Sequence, residues 1–561
     1  MTHYGGKVNS HKHNIRYIMT AVLAAGMFLP YHLNAQIEKK DTTSLRTVHV
    51  TAQRRLRDTG LQRTMLDSLI LHENISRSMS EILTQNSTAF IKSYGRATES
   101  TAEFRGTSPS HTQVLWNGMR INSPMLGTMD FSTIPGCFMD KATLYHGASS
   151  IPLTGGGLGG AVELASLPTE QQGWGTQFIQ GIGSYKTTDD FLRLTYGWGR
   201  WNSSTRVAYG RSDNDFTYTN YDKMVDERDA NGNIVKSYHP QEKNRSGYFH
   251  DLHIMQDLQW RDGRGNRVTA SAWYAKTLRG LPFLSVDYKD DQDFHNEQDF
   301  QTLRATTGWE HTATQCTTTL RGGLSLQDMA YEYYTTRREF RTDITHSRSH
   351  THSGFLETEG NWMPSGQWLL TATASAYLNH VRSQDRSPYH IGDNYNRSRA
   401  EESLTLQARW RPIEKFTLAA VLREEVYGQT VSKPVPALFA DVLLLPSWGL
   451  TLKSSVARNY RFPSMNDLFF QPGSNPELGP ESGFTYDGGL AMDKKWSRVR
   501  LKGSLTSFDS YIHDWIQWLP NAKGYWEPSN IKRVHSFGFE TSWQANLQLG
   551  KDCHILLRTN L

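Results

Sequence analysis

Residues 191–202 read FLRLTYGWGRWN. Every second residue from Leu192 to Trp198 is apolar, and the residues between them are polar or small. A period of two with one apolar face is the pattern of a half-buried β-strand. The same alternation recurs later in the chain, for example in residues 252–260 and 537–549. A soluble β-sandwich would show this period too, so alternation alone does not separate a soluble sheet from a membrane-spanning one.

Three further features favour a membrane-spanning barrel over residues 173–561. The alternating runs are about 9–12 residues long, which suits a tilted strand that crosses a membrane and exceeds the ~5–6 residues of an ordinary strand. Tight turns at 198–202 and 261–266 alternate with long hydrophilic connections at 213–247 and 281–300, as in outer-membrane barrels. Aromatic side chains, which prefer the headgroup level, lie near the run ends. They are Trp174, Trp198, Trp201, Trp260, Tyr274, Trp309 and Trp410.

The composition excludes several other classes of protein. Only 37% of the 561 residues are hydrophobic and the mean hydropathy is −0.58, which excludes a polytopic helical membrane protein. The net charge of +5 is too small to indicate a nucleic-acid partner. Cys137, Cys316 and Cys553 are odd in number and far apart, so no disulfide framework is expected. We therefore predict an all-β membrane protein built on an antiparallel barrel.

The first part of the chain lacks this regular alternation of apolar and polar residues. Basic residues precede a short apolar stretch at residues 18–29 and small residues follow it, which is typical of a secretory signal peptide over residues 1–35. The stretch is too short for an anchor helix that spans a bilayer. Residues 36–57 form an extension, and residues 58–172 mix short apolar pieces with a helical pattern at 65–85, which predicts a small α+β domain.

Short motifs in this small domain resemble the plug of TonB-dependent outer-membrane receptors. They are FRGTSPSH at 104–111, VLWNGMRIN at 114–122, GASS at 147–150 and GGGLGGAVEL at 155–164. Asn117 stands where the family usually has Asp. The motif residues that we take as the plug site are Arg105, Gly106, Gly118, Arg120, Gly159 and Gly160.

The barrel region carries further motifs that resemble the same family. YRFP at 460–463, NPEL at 475–478 followed by Pro480-Glu481, and Asn530 with GFE at 538–540 are similar to its barrel boxes, with Phe462 in place of Ala. The site residues here are Arg461, Pro463, Asn475, Pro476 and Glu481. The resemblance implies a 22-stranded barrel with the plug in its lumen. At roughly 20–25 residues per strand and connection, residues 173–561 give ~16–19 strands, so we expect that C-terminal strands are missing and that the chain is truncated.

The segment at residues 47–52 reads TVHVTA and resembles a TonB box. Its members are Thr47, Val48, His49, Val50, Thr51 and Ala52. A flexible, β-branched segment of this kind can add as a strand to the sheet edge of the periplasmic partner TonB. The alternative is an ordinary first strand of the plug.

Arg105 and Arg120 are the plug cations expected to pair with carboxylates, because the resemblance places them in a polar lumen. Glu81, Glu481 and Glu540 are the candidate partners, and the alternative is an exposed surface arginine. The glycine run at 155–160 permits close approach to the barrel wall. It does not predict a phosphate-binding loop, because no Lys-Ser or Lys-Thr follows it.

The resemblance is closest to the vitamin B12 transporter and siderophore receptor branch. It implies active import of a metal-containing nutrient, either a corrinoid or a ferric siderophore, across the outer membrane of a Gram-negative bacterium. A heme receptor using His111, His146 or loop histidines remains an alternative, as does a non-transporting adhesin or a partner-bound uptake component. A passive porin would lack the plug. The implied partners are TonB with its inner-membrane energising complex, outer-membrane lipid, the small-molecule cargo and a surface lipoprotein.

Neither a catalytic site nor a tightly bound cofactor is expected. G-x-S-x-G and H-E-x-x-H are absent from the sequence, which argues against an enzyme. One acidic loop is a candidate calcium site, although its sequence misses the EF-hand pattern. The acidic residues are Asp213, Asp215, Asp222, Asp226 and Asp229. His346, His350 and His352 fall in a hydrophilic stretch that we interpret as one loop, either a metal site or a solvated segment.

Overall fold

The structure is a computed structural model that describes residues 59–66, 68–74, 76–166, 172–283, 292–386, 392–549 and 553–561. The predicted signal peptide and the TonB-box segment at 47–52 lie outside these residues. Within the described ranges, no helix is both long enough and apolar enough to cross a membrane.

The N-terminal domain, here called the plug, is built on a five-stranded mixed sheet in the order β1-β6-β7-β4-β5, with a separate hairpin β2–β3. Most of its pairs are antiparallel, whereas β4 and β7 run parallel. Its strands are β1 Arg63–Leu66, β2 Phe90–Ser93, β3 Ser100–Glu103, β4 Thr112–Trp116, β5 Met119–Arg120, β6 Lys141–His146 and β7 Gly160–Ala165. Its helices are α1 Ser68–Glu73 and α2 Met79–Asn86.

The helical pattern predicted over residues 65–85 is divided in the structure. Met65 belongs to strand β1, and two short helices follow it. The second helix begins where Ser78 and Glu81 form a capping box, with the Ser78 amide donating to the Glu81 carboxylate at 2.9 Å. This cap starts a new helix instead of extending the first.

After the plug, antiparallel strands pair in sequence around a barrel. In chain order the strands are β8 Gly173–Gly183, β9 Thr187–Trp198, β10 Trp201–Ser212, β11 Thr217–Thr219, β12 Val225–Arg228, β13 Ile234–Tyr238, β14 Gln241–Lys243, β15 Phe249–Arg261, β16 Asn266–Gly280, β17 Asp293–Thr312, β18 Cys316–Arg337, β19 Phe340–Ser365, β20 Trp368–Asp385, β21 Gly392–Ile413, β22 Phe416–Tyr427, β23 Thr430–Val431, β24 Val435–Leu445, β25 Leu450–Arg461, β26 Glu481–Lys495, β27 Val499–Pro520, β28 Trp526–Gln548 and β29 His554–Asn560. A short helix, α3 Met465–Phe469, lies between β25 and β26.

The predicted antiparallel barrel with an N-terminal plug is confirmed. In the described part of the chain, β8–β10, β15–β22 and β24–β29 supply seventeen strands of seven residues or more. This agrees with the count of sixteen to nineteen expected for residues 173–561, and the described strands do not reach the family's twenty-two. The four short strands from β11 to β14 form two small antiparallel sheets. In one, β11 pairs with β14, and in the other, β12 pairs with β13. We call residues 213–247 the extracellular arm.

The apolar faces of the barrel strands point outward. In β15, Ile254 and Leu258 are exposed, whereas His253 and Asp257, the residues just before each of them, are buried on the plug side. An aqueous protein would bury the leucine and expose the aspartate, so this inversion is what a lipid-facing wall around a filled polar lumen requires. Rings meet at the tight-turn end, where Trp198 and Trp201 stack with centroids 6.0 Å apart.

Strand length differs most from the sequence prediction. Strands β8, β9, β10, β22, β24 and β25 have the predicted length, at 11 or 12 residues each, but most of the others are longer, and β19 is 26 residues long. The connection predicted at 281–300 is already strand from Asp293. His346, His350 and His352 lie in the middle of β19, so the loop assigned to them is wrong. The alternation of inward and outward residues continues past the lipid-facing part of these long strands. The period of two therefore does not indicate where a strand leaves the membrane.

The plug fills the lumen and touches the wall on many sides. Its Trp116 packs edge-on against Trp273 of β16 with ring centroids 5.6 Å apart. Its Phe138 packs against Phe191 of β9 with centroids 6.2 Å apart. These four residues belong to one buried core cluster that joins plug and wall. Polar contacts with other strands of the wall hold the plug on its remaining sides.

Candidate functional site at the plug–barrel interface

Arg105 lies at the turn after β3 and reaches two carboxylates of the barrel wall. Its backbone is left-handed with φ +54°, followed by Gly106 with φ +71°. Its guanidinium donates to Asp487 on β26 at 2.5 Å and to Glu540 on β28 at 2.8 Å. His146 of the plug approaches the other oxygen of Glu540 at 3.5 Å. We call these four residues the Arg105 cluster.

The Arg105 cluster is buried, so its charges depend on each other. Burial by itself lowers the pKa of the Arg105 guanidinium, but the carboxylates of Asp487 and Glu540 outweigh it and raise that pKa above its ordinary value. Ser455 donates a further hydrogen bond to Asp487 at 3.0 Å. Removing one member would leave an uncompensated charge in a buried site, which is costly.

Arg120 forms a second group with another part of the wall, on β21 and β22, here called the Arg120 cluster. Its guanidinium contacts the carboxylate of Glu401 on β21 and donates to the Tyr427 hydroxyl at 3.0 Å. Arg399 holds the other oxygen of Glu401 at 2.8 Å. The Arg120 backbone amide donates to Tyr377 at 2.9 Å. One carboxylate therefore serves a plug arginine and a barrel arginine at once.

The third group, the His111 cluster, joins the plug to the end of β25 and the start of β26. His111 is buried and its Nε2 lies 2.8 Å from Glu481, which also accepts from Arg461 at 2.7 Å. The Ser108 amide points at His111 Nδ1 at 3.2 Å, so the ring proton sits on Nε2 and is donated to Glu481. Arg461 continues to Asp467 of α3 at 3.4 Å. The chain of contacts thus runs from the plug to the helix above it.

Of the three carboxylates predicted as partners, only Glu540 pairs with a predicted plug arginine. Glu481 belongs to the His111 cluster, and Glu81 caps α2. Sequence reasoning missed Asp487 and Glu401, although both stand at inward positions of their alternating strands. The alternation of inward and outward positions along each strand could have identified them as inward-facing acidic residues. It does not indicate which arginine each of them contacts.

Three glycines of the run at 155–160 lie where a side chain would collide. A Cβ at Gly159 would sit 2.2 Å from the Thr107 hydroxyl, and one at Gly155 would sit 1.6 Å from the carboxylate of Glu425 on the wall. Gly160 has φ +156°, and a Cβ there would lie 2.4 Å from the Tyr145 carbonyl. The run therefore allows close packing of the plug on itself and on the barrel.

The departure at Asn117 has a structural reason. Asn117 and Gly118 both have positive φ, +49° and +90°, and join β4 to β5 in a two-residue turn for which Asn-Gly is the favoured pair. The Asn117 amide donates to the Ser166 hydroxyl at 3.1 Å, and its oxygen accepts from the Ser166 backbone at 3.1 Å. An aspartate could only accept.

The second barrel motif joins the loop before β26 to the first residues of β28. Asn475 donates to the Pro528 carbonyl at 3.2 Å, and Asn530 exchanges hydrogen bonds with Gly479 at 2.8 and 3.1 Å. Pro463 accepts from Arg399 at 2.8 Å, which connects this motif to the Arg120 cluster. Pro476 is exposed beside Asn475. These residues shape the mouth of the barrel rather than the lumen.

The candidate metal ligands are not gathered at one point. Among the described residues, no group of three or more His, Cys, Asp or Glu side chains is placed to hold a metal. Four of the loop carboxylates have other contacts: Asp213 with Lys186 at 2.5 Å, Asp215 with Lys243 at 3.1 Å, Asp226 with Ser237 at 2.6 Å, and Asp229 with the backbone of Asn231 and Asn233 at 2.9 Å each. Backbone and side-chain donors around it lower the pKa of Asp229 below its ordinary value. Calcium binding by this loop, with Asp222 as a further ligand, stays a prediction.

Two histidines considered as heme ligands are not available to a ligand from outside. His111 is 0% exposed and His146 is 4% exposed. Both face carboxylates of the barrel wall, as described above. They serve the interface between plug and barrel.

Comparisons with known proteins agree with this architecture. Residues 173–559 match the family model "TonB dependent receptor-like, beta-barrel", and residues 55–161 match "TonB-dependent Receptor Plug Domain". The vitamin B12 transporter BtuB of Photobacterium profundum is 22% identical across 93% of this chain and 80% of its own length. BtuB of Vibrio vulnificus is 20% identical across 80% of this chain and 66% of its own length.

Solved structures show the same fold. The copper transporter OprC superposes with a TM-score of 0.66 at 14% identity, over 90% of this chain and 80% of that chain. The Serratia marcescens hemophore receptor HasR, in complex with hemophore HasA and heme, superposes with a TM-score of 0.67 at 13% identity, over 90% and 82% of the two chains. At such identities these likenesses concern the fold alone.

Proposed function

Because this chain belongs to the family of TonB-dependent receptors, we propose that it imports a corrinoid such as vitamin B12 across the outer membrane. Receptors of this family lie in the outer membrane of Gram-negative bacteria and take up cargo with energy from TonB. The observation that carries the proposal is the filled lumen. The Arg105, Arg120 and His111 clusters hold the plug from several sides, so cargo can pass only when the plug rearranges.

The need for energy follows from the chemistry of the interface. Each cluster places a plug side chain against a barrel carboxylate at hydrogen-bond distance in a buried setting. Removing one partner of such a pair costs about 3–5 kcal/mol in soluble proteins. A pull delivered through residues 47–52 is a suitable source, because a strand that adds to the edge of TonB bears load along its backbone hydrogen bonds.

The choice of a corrinoid rests on the sequence relatives. Two vitamin B12 transporters align with most of this chain, whereas the siderophore, copper and heme receptors resemble it only in fold. A ferric siderophore is the runner-up, and the surface lipoprotein stays a prediction.

Growth on limiting cargo tests the proposal. The gene is expressed in cells that lack their own outer-membrane receptors, and growth is scored on limiting cyanocobalamin, ferric siderophore or heme. We expect rescue by cyanocobalamin that disappears when residues 47–52 are deleted. Deletion of residues 39–44, six residues of the same extension, is the matched control and should preserve rescue.

Each other outcome has a definite meaning. Rescue by the ferric siderophore alone would keep import but replace the corrinoid. Rescue that survives loss of residues 47–52 would contradict dependence on TonB through that segment. Absence of rescue by every cargo, with normal display at the cell surface, would contradict import and favour an adhesin or a partner-bound component.

A further inference from the structure

One stretch of the plug is rich in methionine. Residues 119–131 read MRINSPMLGTMDF, and we call them the methionine segment. Its three methionines are all buried. Met119 and Met129 belong to the core cluster that joins plug and wall, and Met125 belongs to a second cluster with Val381 of β20. Methionine side chains are flexible and apolar, so these contacts do not fix one arrangement as ion pairs do.

Polar contacts hold the methionine segment near its two ends and at its middle. Arg120 near one end bonds to β20, β21 and β22 through its backbone amide and its guanidinium. Asp130 near the other end accepts from Arg279 of β16 at 2.7 Å. Two backbone amides at the start of α3 donate to the carbonyls of Pro124 and Met125, at 3.1 and 3.0 Å. The wall between the two end contacts consists of β17, β18 and β19.

These three strands contact the plug without polar bonds. In the part of the chain that the structure describes, no hydrogen bond or ion pair joins the plug to residues 302–306 of β17, 323–329 of β18 or 349–355 of β19. The contact that they do make is close and apolar. A Cβ built on Gly323 would lie 2.8 Å from the sulfur of Met119. The plug can therefore leave this part of the wall without breaking an ion pair there.

The plug also packs less tightly here than elsewhere. Ser325 and Gln327 on the inner face of β18, and Ser353 of β19, are only half-buried. On the inner face of β21, by contrast, Thr405 and Gln407 are 1% and 7% exposed. The inner wall thus differs from one strand to the next in how closely the plug covers it.

Two buried hydroxyls on this wall lack a partner. Thr302 and Thr351 stand on either side of Gln327, in one row across β17, β18 and β19. Neither hydroxyl has a hydrogen-bond partner among the protein groups of the described ranges. A buried polar group left unpaired costs about 1–3 kcal/mol. Because water or a polar cargo would recover this cost, separation of plug from wall is easier here than at the three clusters.

A buried arginine lies one row closer to the tight turns. Arg304 of β17 stands opposite Trp273 of β16 and Ser325 of β18. It is 2% exposed, and its guanidinium lies 5.0 Å from the centroid of the Trp273 ring. Its Nε has no hydrogen-bond partner, and no carboxylate of the described chain pairs with it. Buried charges in proteins are normally paired, and Arg304 is an exception that suits a negatively charged ligand.

We propose that cargo passes between the methionine segment and the inner faces of β17, β18 and β19, and that Arg304 binds a negatively charged group of the cargo on the way. The inference rests on the proposed import function and adds a route to it. The phosphodiester of a corrinoid is such a group, and a guanidinium donates several hydrogen bonds to its oxygens.

The route also selects which attachments of the plug must open. The Arg120 cluster and the two hydrogen bonds from α3 hold the methionine segment in place, so the energy from TonB is needed there. The Arg105 and His111 clusters lie on other strands and keep the rest of the plug in the barrel.

Reversible tethers test the route. The parent is the full chain with its three cysteines, Cys137, Cys316 and Cys553, replaced by alanine. Met119→Cys/Gly323→Cys places two thiols where the methionine segment meets β18. Leu158→Cys/Gly483→Cys is the matched control on β26, where a wall glycine again faces the end of a plug side chain, with Leu158 Cδ2 3.2 Å from the Cβ position. A short bifunctional thiol reagent that dithiothreitol cleaves joins each pair.

Uptake of labelled cyanocobalamin by cells is the readout, and surface binding is measured separately in cells that lack TonB. We expect the β18 tether to stop uptake, to leave surface binding unchanged and to be reversed by dithiothreitol. The β26 tether should preserve uptake. Full uptake with the β18 tether in place, or equal loss with both tethers, would overturn the route.

Variants of Arg304 test the cation on the route. Arg304→Gln should slow uptake about ten-fold, as for the loss of one charge-assisted hydrogen bond, without weakening surface binding. Because Arg304 has no carboxylate partner to lose, this variant should fold as stably as the parent. Arg304→Lys keeps the charge and should retain most of the uptake, and Arg264→Gln in an exposed turn should change nothing. Parent-like uptake by Arg304→Gln, or equal slowing by both Arg304 variants, would overturn the role of the charge.

Hydrogen exchange of the purified full chain separates failure of the route from failure of the proposed function. A parent chain that imports none of the cargoes would contradict the proposed function. The exchange experiment needs no cargo, and in it the methionine segment should exchange faster than plug residues 155–164. Equally slow exchange in the two segments would overturn the route whether or not the chain imports.

Discussion

Ion pairs between the plug and the barrel wall differ from those of the extracellular arm in burial, not in chemistry. Arg105 meets Asp487 at 2.5 Å with side chains 3% and 0% exposed. In the arm, Lys243 meets Asp215 at 3.1 Å with side chains 70% and 44% exposed. Water and salt screen the second pair but not the first, so geometry of similar quality carries very different energies. Each buried pair between plug and wall therefore matters more to stability than an exposed pair of the arm.

Arg105 should give the largest effect. Arg105→Gln leaves the buried carboxylates of Asp487 and Glu540 without their cation. We expect the free energy of local plug opening to fall by about 3–5 kcal/mol, measured as faster hydrogen exchange of plug peptides by mass spectrometry. Arg264→Gln in an exposed turn is the control. Plug exchange as slow as in the parent chain would contradict the role of this cluster.

Glu401 should come second. Glu401→Gln removes the carboxylate shared by Arg120 and Arg399, but Arg120 keeps its hydrogen bond to Tyr427 and Arg399 keeps its bond to the Pro463 carbonyl. The expected loss of plug stability is therefore smaller, about 2–3 kcal/mol. The same exchange experiment measures it. A loss larger than that of Arg105→Gln would reverse the ranking of the two clusters.

His111 should rank third and should depend on hydrogen bonding. His111→Ala removes the bond to Glu481 and the edge contact with Trp515, whose ring centroid is 4.6 Å away. Arg461 still compensates the Glu481 charge, so we expect a loss of about 1–3 kcal/mol. His111→Gln restores a donor and should recover part of it. Equal exchange in the two variants would show that packing, not hydrogen bonding, carries the contribution.

The arm should give the smallest effect. Asp215→Asn is expected to change the exchange of arm peptides by less than about two-fold and plug exchange not at all. The hydrogen bond from Lys243 lowers the pKa of Asp215 below its usual value. Its contribution is therefore present above about pH 4 and is lost as the pH falls through the lowered pKa. A large loss of arm protection between pH 7 and pH 5 would contradict this.

The faces of the strands could be predicted from the sequence, whereas the ends of the long ones could not. The period of two predicts that Leu258 points outward and Asp257 inward. The lipid favours apolar side chains on one face of the strand, and the filled lumen favours polar side chains on the other. His346 and His350 carry the same period beyond the membrane, where polar residues fit both strand and loop. The predicted helix is divided at Ser78 by a capping box with Glu81. This motif involves only a few residues and is easily overlooked within a longer helical pattern.

The candidate site was predictable in part. The arginine of the plug motif could be located by its resemblance to a family, and its burial could be expected in a filled lumen. Its pairing with Asp487 joins residues 382 positions apart, which only the closed register of the barrel brings together. The pattern of residues in a single sequence does not indicate which distant residues form such a pair.

The length of β19 has a mechanical consequence for the mouth of the receptor. Its 26 residues correspond to about 85 Å of continuous strand, of which the lipid needs well under half. The rim is thus a continuous hydrogen-bonded sheet, here called the collar, rather than a set of independent loops. A deformation on one side should spread along the ladder as twist and shear, and specificity can change by replacing inward side chains without altering the collar's outline.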